Sequence, residues 1–266
     1  MELYSRIEGS GFPIIILHGL LGSSDNWRAI TKRLNSSYKV FAVDLRNHGQ
    51  SPHSEIMTYP AMADDVRELL EHEKISECHL VGHSLGGKVA MQFAVTHPDR
   101  VSKLVIVDIA PKAYPPAQRA ILAALEQLQL QNFKAFGTID AALAPAVPEI
   151  AIRQFLMKNI ARASSGGFQW RIDLASIVKN YDNLTKPIVA AAAYDKPALF
   201  IRGGRSDYIA DVDLASIKAI FTQAELVTIA RGGHWLHADA TYEFLAILND
   251  FLNSHTVDHR TLRKSH

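Results

Sequence analysis

The segment Gly82-His83-Ser84-Leu85-Gly86 sets a serine between two glycines in the spacing G-x-S-x-G. A serine hydroxyl is a poor nucleophile until a neighbouring base takes its proton. The flanks give the motif its meaning. The apolar run His79–Val81 precedes it and a helical pattern, Leu85–His97, follows. Ser84 therefore falls on a sharp strand-to-helix turn that exposes its Oγ. The start of the following helix also favours developing negative charge at that point. The chemistry implied is attack by Ser84 on an acyl carbon. A Gly-rich turn without chemistry would not need serine at its middle position.

Such a nucleophile needs an acid and then a histidine further along the chain. Twelve histidines are available, and position selects among them. His234, in Gly232-Gly233-His234-Trp235, follows the last apolar run and precedes the last helical pattern, so it is the expected base. His237 lies three residues on and is expected to face elsewhere. His18 and His83 flank the site and read as supporting groups. His97, before Pro98, reads as a surface residue. Two carboxylates follow Ser84 at strand ends. Asp108 ends the run Lys103–Val107, and Asp207 follows Gly203-Gly204-Arg205-Ser206. Gly204–Asp207 can be read as G-x-x-D, which makes Asp207 the acid. Alternatively Gly203–Ser206 puts serine in that place and Asp108 takes over. Asp108 is favoured, with Asp207 as the alternative, and Ser206 could still bond His234 or Asp108. The oxyanion of a tetrahedral intermediate needs two backbone N–H donors. Leu85, directly after the nucleophile, and Leu20, after His18-Gly19, are the expected donors.

The elements that must position these residues alternate. Apolar runs at Pro13–Leu17, Tyr38–Val43, His79–Val81, Lys103–Val107, Ala198–Ile201 and Leu226–Ile229 read as strands buried on both faces. Helical patterns lie between them at Asp25–Leu34, Ala61–Glu73, Leu85–His97, Val212–Phe221 and Tyr242–Leu252. Strand and helix in alternation predict a doubly wound, mostly parallel α/β sheet with its site at the carboxyl ends of the strands. From about Pro111 to Thr185 the rhythm changes to helical patterns without a clear strand, notably Ala117–Leu130 and Glu149–Arg162. The expected organisation is a core of residues 1–111 and 187–266, with a helical cap at 112–186. Trp170 and Arg171, with Phe168, Phe133 and Phe136, are candidates for its substrate-facing wall. The competing reading is that these aromatics simply hold the cap together.

The 266 residues carry 28 Lys+Arg against 27 Asp+Glu, a formal charge of +1. That balance argues against nucleic acid or an anionic membrane as the main partner. No apolar run approaches the roughly 18 to 20 residues that cross a bilayer. Met1–Phe12 lacks a basic-then-apolar signal pattern. Cys78 is the only cysteine, so no intramolecular disulfide forms and a cytoplasmic, reducing environment is expected. Cys78 itself reads as a small buried hydrophobe. His259–His266 is locally basic and reads as a frayed tail.

Several of these stretches resemble the YbfF-like bacterial esterases of the α/β-hydrolase superfamily. They are Leu17-His18-Gly19-Leu20-Leu21-Gly22-Ser23, Asp44-Leu45-Arg46-Asn47-His48-Gly49-Gln50-Ser51-Pro52, Met57–Ala63, Gly82–Lys88, Val107-Asp108-Ile109-Ala110-Pro111, Gly203–Tyr208 and Gly232–Ala238. The resemblance covers nearly the whole chain outside the helical insert. It implies an α/β-hydrolase fold, hydrolysis of small-molecule esters or acyl thioesters such as acyl-CoA, a helical cap and no cofactor or metal. It also implies Asp108 as the acid and Ser206 as a fourth member of the group. Asp207 departs from the family pattern. Other readings on the same scaffold are a carbon–carbon bond hydrolase or lyase, and a receptor that kept the three residues. Serine at position 84 argues against dehalogenases and epoxide hydrolases, which use aspartate there.

Overall fold

The computed structural model of the protein describes residues 1–254, and the basic stretch His259–His266 lies outside the described residues. The main sheet has seven strands in the order β1-β3-β2-β4-β5-β8-β9. They are β1 (Ser5–Glu8), β2 (Phe12–Leu17), β3 (Tyr38–Val43), β4 (Cys78–His83), β5 (Val101–Val107), β8 (Tyr194–Gly203) and β9 (Phe221–Ile229). All neighbours pair in parallel except β1 with β3.

Side chains alternate across the sheet, as a period of two requires. Ile15, Leu17, Leu104, Ile106 and Phe200 enter one core, and Ile14, Ile16, Val105, Val107 and Ile201 enter the other. Helices α2 (Tyr59–His72), α3 (Leu85–Thr96) and α9 (Asp213–Ile220) cover the first face; α1 (Arg28–Leu34), α10 (Leu236–Asp239) and α11 (Thr241–Asn253) cover the second. Burial on both sides explains why the strands read as continuous apolar runs. β1 escaped that reading because it is four residues of mixed polarity at the sheet edge. Among the described residues no helix is long and apolar enough to cross a membrane.

Between β5 and β8 the chain leaves the sheet. It forms α4 (Arg119–Glu126), α5 (Phe136–Leu143), α6 (Ile150–Met157), α7 (Leu174–Lys179) and α8 (Tyr181–Leu184). The expectation of helices alone is corrected here. Strands β6 (Ile160–Arg162) and β7 (Phe168–Trp170) form an antiparallel hairpin. The helix expected over Glu149–Arg162 stops at Met157, and Ile160–Arg162 pairs with β7 instead. Gly166 and Gly167, at φ 94° and 72°, make the intervening turn. Three-residue strands are too short to show a period of two.

One side chain ties this excursion to the core. Lys88, on α3 one turn beyond Ser84, is buried, and its Nζ donates to the carbonyls of both Lys112 and Lys186. The chain leaves the core near the first of these and returns near the second. The same ammonium lies 5.5 Å from the Tyr59 ring centroid and 5.2 Å from that of Tyr114.

Candidate active site

Ser84 stands at the junction of β4 and α3 with φ 52° and ψ −115°, a conformation that costs an L residue energy. The turn closes because Gly82 and Gly86 approach within backbone contact. A Cβ on Gly82 would lie 2.3 Å from the carbonyl oxygen of Gly86. Gly86 in turn donates its N–H to His18 O at 3.0 Å, which ties the turn to the loop after β2.

His234 lies in the loop after β9, with Nε2 3.1 Å from Ser84 Oγ and Nδ1 2.7 Å from Asp108 Oδ2. Asp108 is fully buried. Its Oδ1 accepts from Gly203 N at 2.9 Å, and its Oδ2 also accepts a hydrogen bond from Ser206 Oγ. The Asp108 carboxylate thus has three hydrogen-bond partners: Gly203 N, Ser206 Oγ and His234 Nδ1. The ring of Tyr208 stacks on His234, centroids 4.0 Å apart, while His83 Nε2 donates to His234 O at 2.8 Å. Ring and backbone of His234 are thereby fixed from two sides. Burial pushes His83 well below the usual histidine range, which keeps it a neutral donor.

Among the residues expected from sequence, Ser84, His234, Asp108 and Ser206 come together. Asp207 is exposed and lines the cavity beside Ser84, while His234 pairs with Asp108. His237 faces away and stacks on Trp27 at 4.3 Å. Leu20 and Leu85 line the cavity at Ser84. Leu85 is the first residue of α3, so its N–H has no partner within the helix.

The Asp44–Ser51 segment supports the loop that carries Leu20. His18 Nε2 accepts from Leu45 N at 3.0 Å, and His48 Nε2 accepts from Leu21 N at 3.1 Å. Asp44 Oδ1 accepts from Ser24 N at 2.6 Å. Both rings must be neutral to accept. Burial pushes His18 down to about 4 and His48 down to about 3.

Two cavities open on Ser84. The larger, about 470 Å³, runs along Tyr59, Leu85, Lys88, Tyr114 and Leu184; the smaller, about 250 Å³, runs along His83, Ile152, Phe155, His234 and Trp235. Trp170 and Arg171 line neither, and their expected place in the substrate wall is corrected. Trp170 sits in the β6–β7 hairpin and packs into the core, whereas Arg171 is exposed beside Asp44 and Gln50. Phe168 is buried and packs edge-tilted on Phe136 at 4.5 Å. These aromatics hold the excursion together. The hairpin places Phe168 and Trp170 outside the lining of both cavities, a placement that residue type does not reveal. The residues that sequence reasoning passed over are Tyr59, Lys88, Gln118 and Tyr208. Lys88 alone carried a signal: a lysine four residues after the nucleophile within a mostly apolar helix. Among the described residues no group of three or more His, Cys, Asp or Glu side chains could hold a metal.

A parallel sheet with a strained serine elbow, and an acid and a histidine on later loops, defines an α/β hydrolase. The profile of that family, described as the alpha/beta hydrolase fold, matches residues 13–241, and the chain belongs to it. It is 34% identical to the esterase YbfF of Escherichia coli over 91% of this chain and 93% of that protein. It is 38% identical to the sn-1-specific diacylglycerol lipase ABHD11 of Xenopus tropicalis, over 94% of this chain and 82% of the other. A solved marine microorganism esterase superposes with a TM-score of 0.93 at 41% identity, covering 94% and 99% of the two chains. The expected likeness to YbfF-like esterases is borne out.

Proposed function

We propose that the protein is a serine hydrolase that cleaves carboxylic esters or acyl thioesters through an acyl-enzyme. The observation that carries this reading is the hydrogen-bonded chain Ser84 Oγ, His234 and Asp108, closed by Ser206. His234 Nε2 takes the Ser84 proton as Oγ attacks the acyl carbon. Asp108 holds Nδ1–H and stabilises the imidazolium. The N–H groups of Leu20 and Leu85 take the oxyanion, each typically worth ~3 kcal/mol in the transition state. Collapse breaks the bond to the alcohol or thiol, which leaves with the proton from His234. Water, deprotonated by His234, then attacks the acyl-enzyme and releases the acid and Ser84.

Residues 112–186 form a cap in this reading and supply the outer walls of both cavities. The relatives' substrates, as their names give them, are esters and diacylglycerols, which suits a mostly apolar site. A single cysteine suits a cytoplasmic setting. The test is a panel of aryl esters of rising acyl length beside acyl-CoA thioesters, with wild type and Ser84→Ala. Turnover of esters by wild type alone supports the reading. Equal turnover by both proteins overturns it.

A further inference from the structure

The two cavities share four lining residues: Leu20, Ser84, Gln118 and Tyr208. Leu20 and Ser84 form the floor at the reacting centre. Gln118 and Tyr208 form a bar between the chambers. Gln118 Nε2 donates to the hydroxyl of Tyr208 at 2.8 Å, its Oε1 accepts from the hydroxyl of Tyr181, and its N–H donates to that same hydroxyl at 2.9 Å. Both polar ends of the Gln118 side chain are thus engaged, and the bar is fixed. Gln118 comes from the excursion and Tyr208 from the core, where its ring lies on His234.

We infer that this Gln118–Tyr208 bar divides the substrate at its ester bond, the acyl chain entering the larger cavity and the alcohol the smaller. The assignment rests on the serine-esterase reading and on where the proton must go. A tetrahedral centre on Ser84 carries four groups: Oγ, the oxyanion, the leaving oxygen and the acyl carbon chain. The leaving oxygen takes its proton from His234, so the alcohol must lie on the His234 side. His234 lines the smaller cavity and not the larger. The oxyanion faces the amides of Leu20 and Leu85. The acyl chain is left with the larger cavity, beside Leu85. The substrate class is an ester with an apolar acyl chain of medium length and a smaller apolar alcohol. Gln118 and Tyr208 are the residues that keep the two arms apart.

The experiment uses two isomers of one composition, hexyl acetate and methyl heptanoate, which differ only in the side of the ester that carries the chain. The readout is the ratio of their kcat/KM values. Ile152→Trp, which fills the smaller cavity, should lower the hexyl acetate to methyl heptanoate ratio at least tenfold, within the range by which apolar pockets discriminate methylenes. Ile121→Phe is the second filling there, should the first not fold. Thr185→Phe, in the larger cavity, should raise the same ratio. Adding Gln118→Ala to Ile152→Trp should restore hexyl acetate turnover severalfold, because the blocked chain gains the larger chamber. A rise in the ratio with Ile152→Trp together with a fall with Thr185→Phe overturns the assignment, as do ratios that do not move. No restoration by Gln118→Ala overturns the role of the bar. If the wild type cleaves neither isomer nor any aryl ester, the esterase reading itself falls and takes the division with it.

Discussion

Ser84 and Asp108 occupy equivalent places on neighbouring strands. Their preceding residues, His83 and Val107, pair in register, and both Ser84 and Asp108 lie just past a strand end with positive φ, 52° and 53°. Two strands turned sharply at the same height present two functional side chains at the spacing of the sheet, about 4.8 Å between strands. His234, arriving from β9 across the sheet, closes the gap between them. Ser84 N also donates to Val107 O at 3.1 Å, so the two turns hold each other.

Ser84→Ala should abolish ester turnover, by about a million-fold as when a serine hydrolase loses its nucleophile, with the fold intact. Kinetics on an aryl ester, beside the far-ultraviolet circular dichroism of both proteins, checks this. A fluorophosphonate probe should label Ser84 and no other serine. Residual turnover above a tenth of wild type would sink the assignment.

Asp108→Asn should damage turnover by about 10⁴, because an amide presents the wrong hydrogen bond to His234 Nδ1. Asp207→Asn should stay within a few-fold of wild type, since its exposed carboxylate does not pair with His234. Ser206→Ala removes one charge-assisted hydrogen bond from Asp108 and should fall between them, at roughly 10- to 100-fold. The order of these three, measured as kcat on one ester, is the check. An inactive but folded Asp207→Asn with an active Asp108→Asn would reverse the roles.

The pH dependence of stability should show Lys88. Burial and the nearby charge of Lys112 push its ammonium down to about 7 from 10.5. Between about pH 7 and pH 10 the unfolded chain therefore holds the extra proton, and stability at this site rises with pH. Lys88→Met removes that dependence and leaves the Lys112 and Lys186 carbonyls without their donor. The Tm of wild type minus that of Lys88→Met should grow as pH rises through this window. A difference that is flat or falls with pH contradicts the account.

Acid stability should show His237. Burial pushes it down to about 3, so below pH 6.5 the unfolded chain takes up a proton that the fold refuses, and stability is lost as pH falls towards 3. His18 and His48 act in the same direction. Among the described residues the Nδ1 of His237 has no hydrogen-bond partner, and its ring stacks on Trp27. His237→Phe keeps the stacking and removes one titrating group. Its denaturant midpoint should fall less between pH 6.5 and 4 than that of wild type. An unchanged slope refutes the assignment.

The sheet was legible because both of its faces are buried, which turns strands such as Pro13–Leu17 into apolar runs with glycine-bearing ends. Ser84 and His234 were legible because each sits at the break between such a run and a helix. The acid was less so, since Asp108 and Asp207 both follow strands and only three-dimensional proximity to His234 separates them. The excursion was legible as a departure from the rhythm but not in its facing. Which side Trp170 or Gln118 presents to Ser84 depends on the hairpin and on bonds to Tyr181 and Tyr208, contacts made between residues far apart in the chain. Lys88 looked like one more lysine on a helix, although its partners lie 24 and 98 residues away.

The double grip of Lys88 bears on how such a chain can change over evolutionary time. Because both stems of the excursion are fastened at one point, its ends are already together and the sheet does not register how far the chain travels in between. A closed loop tolerates insertions well, each doubling of length adding only about 0.6 kcal/mol of closure entropy. Segments of different length and shape can therefore be exchanged at this junction while Ser84, Asp108 and His234 stay where the strands put them. The outer walls of the two cavities and the arrangement of those three residues become separately heritable, the one carried by the excursion and the other by the sheet.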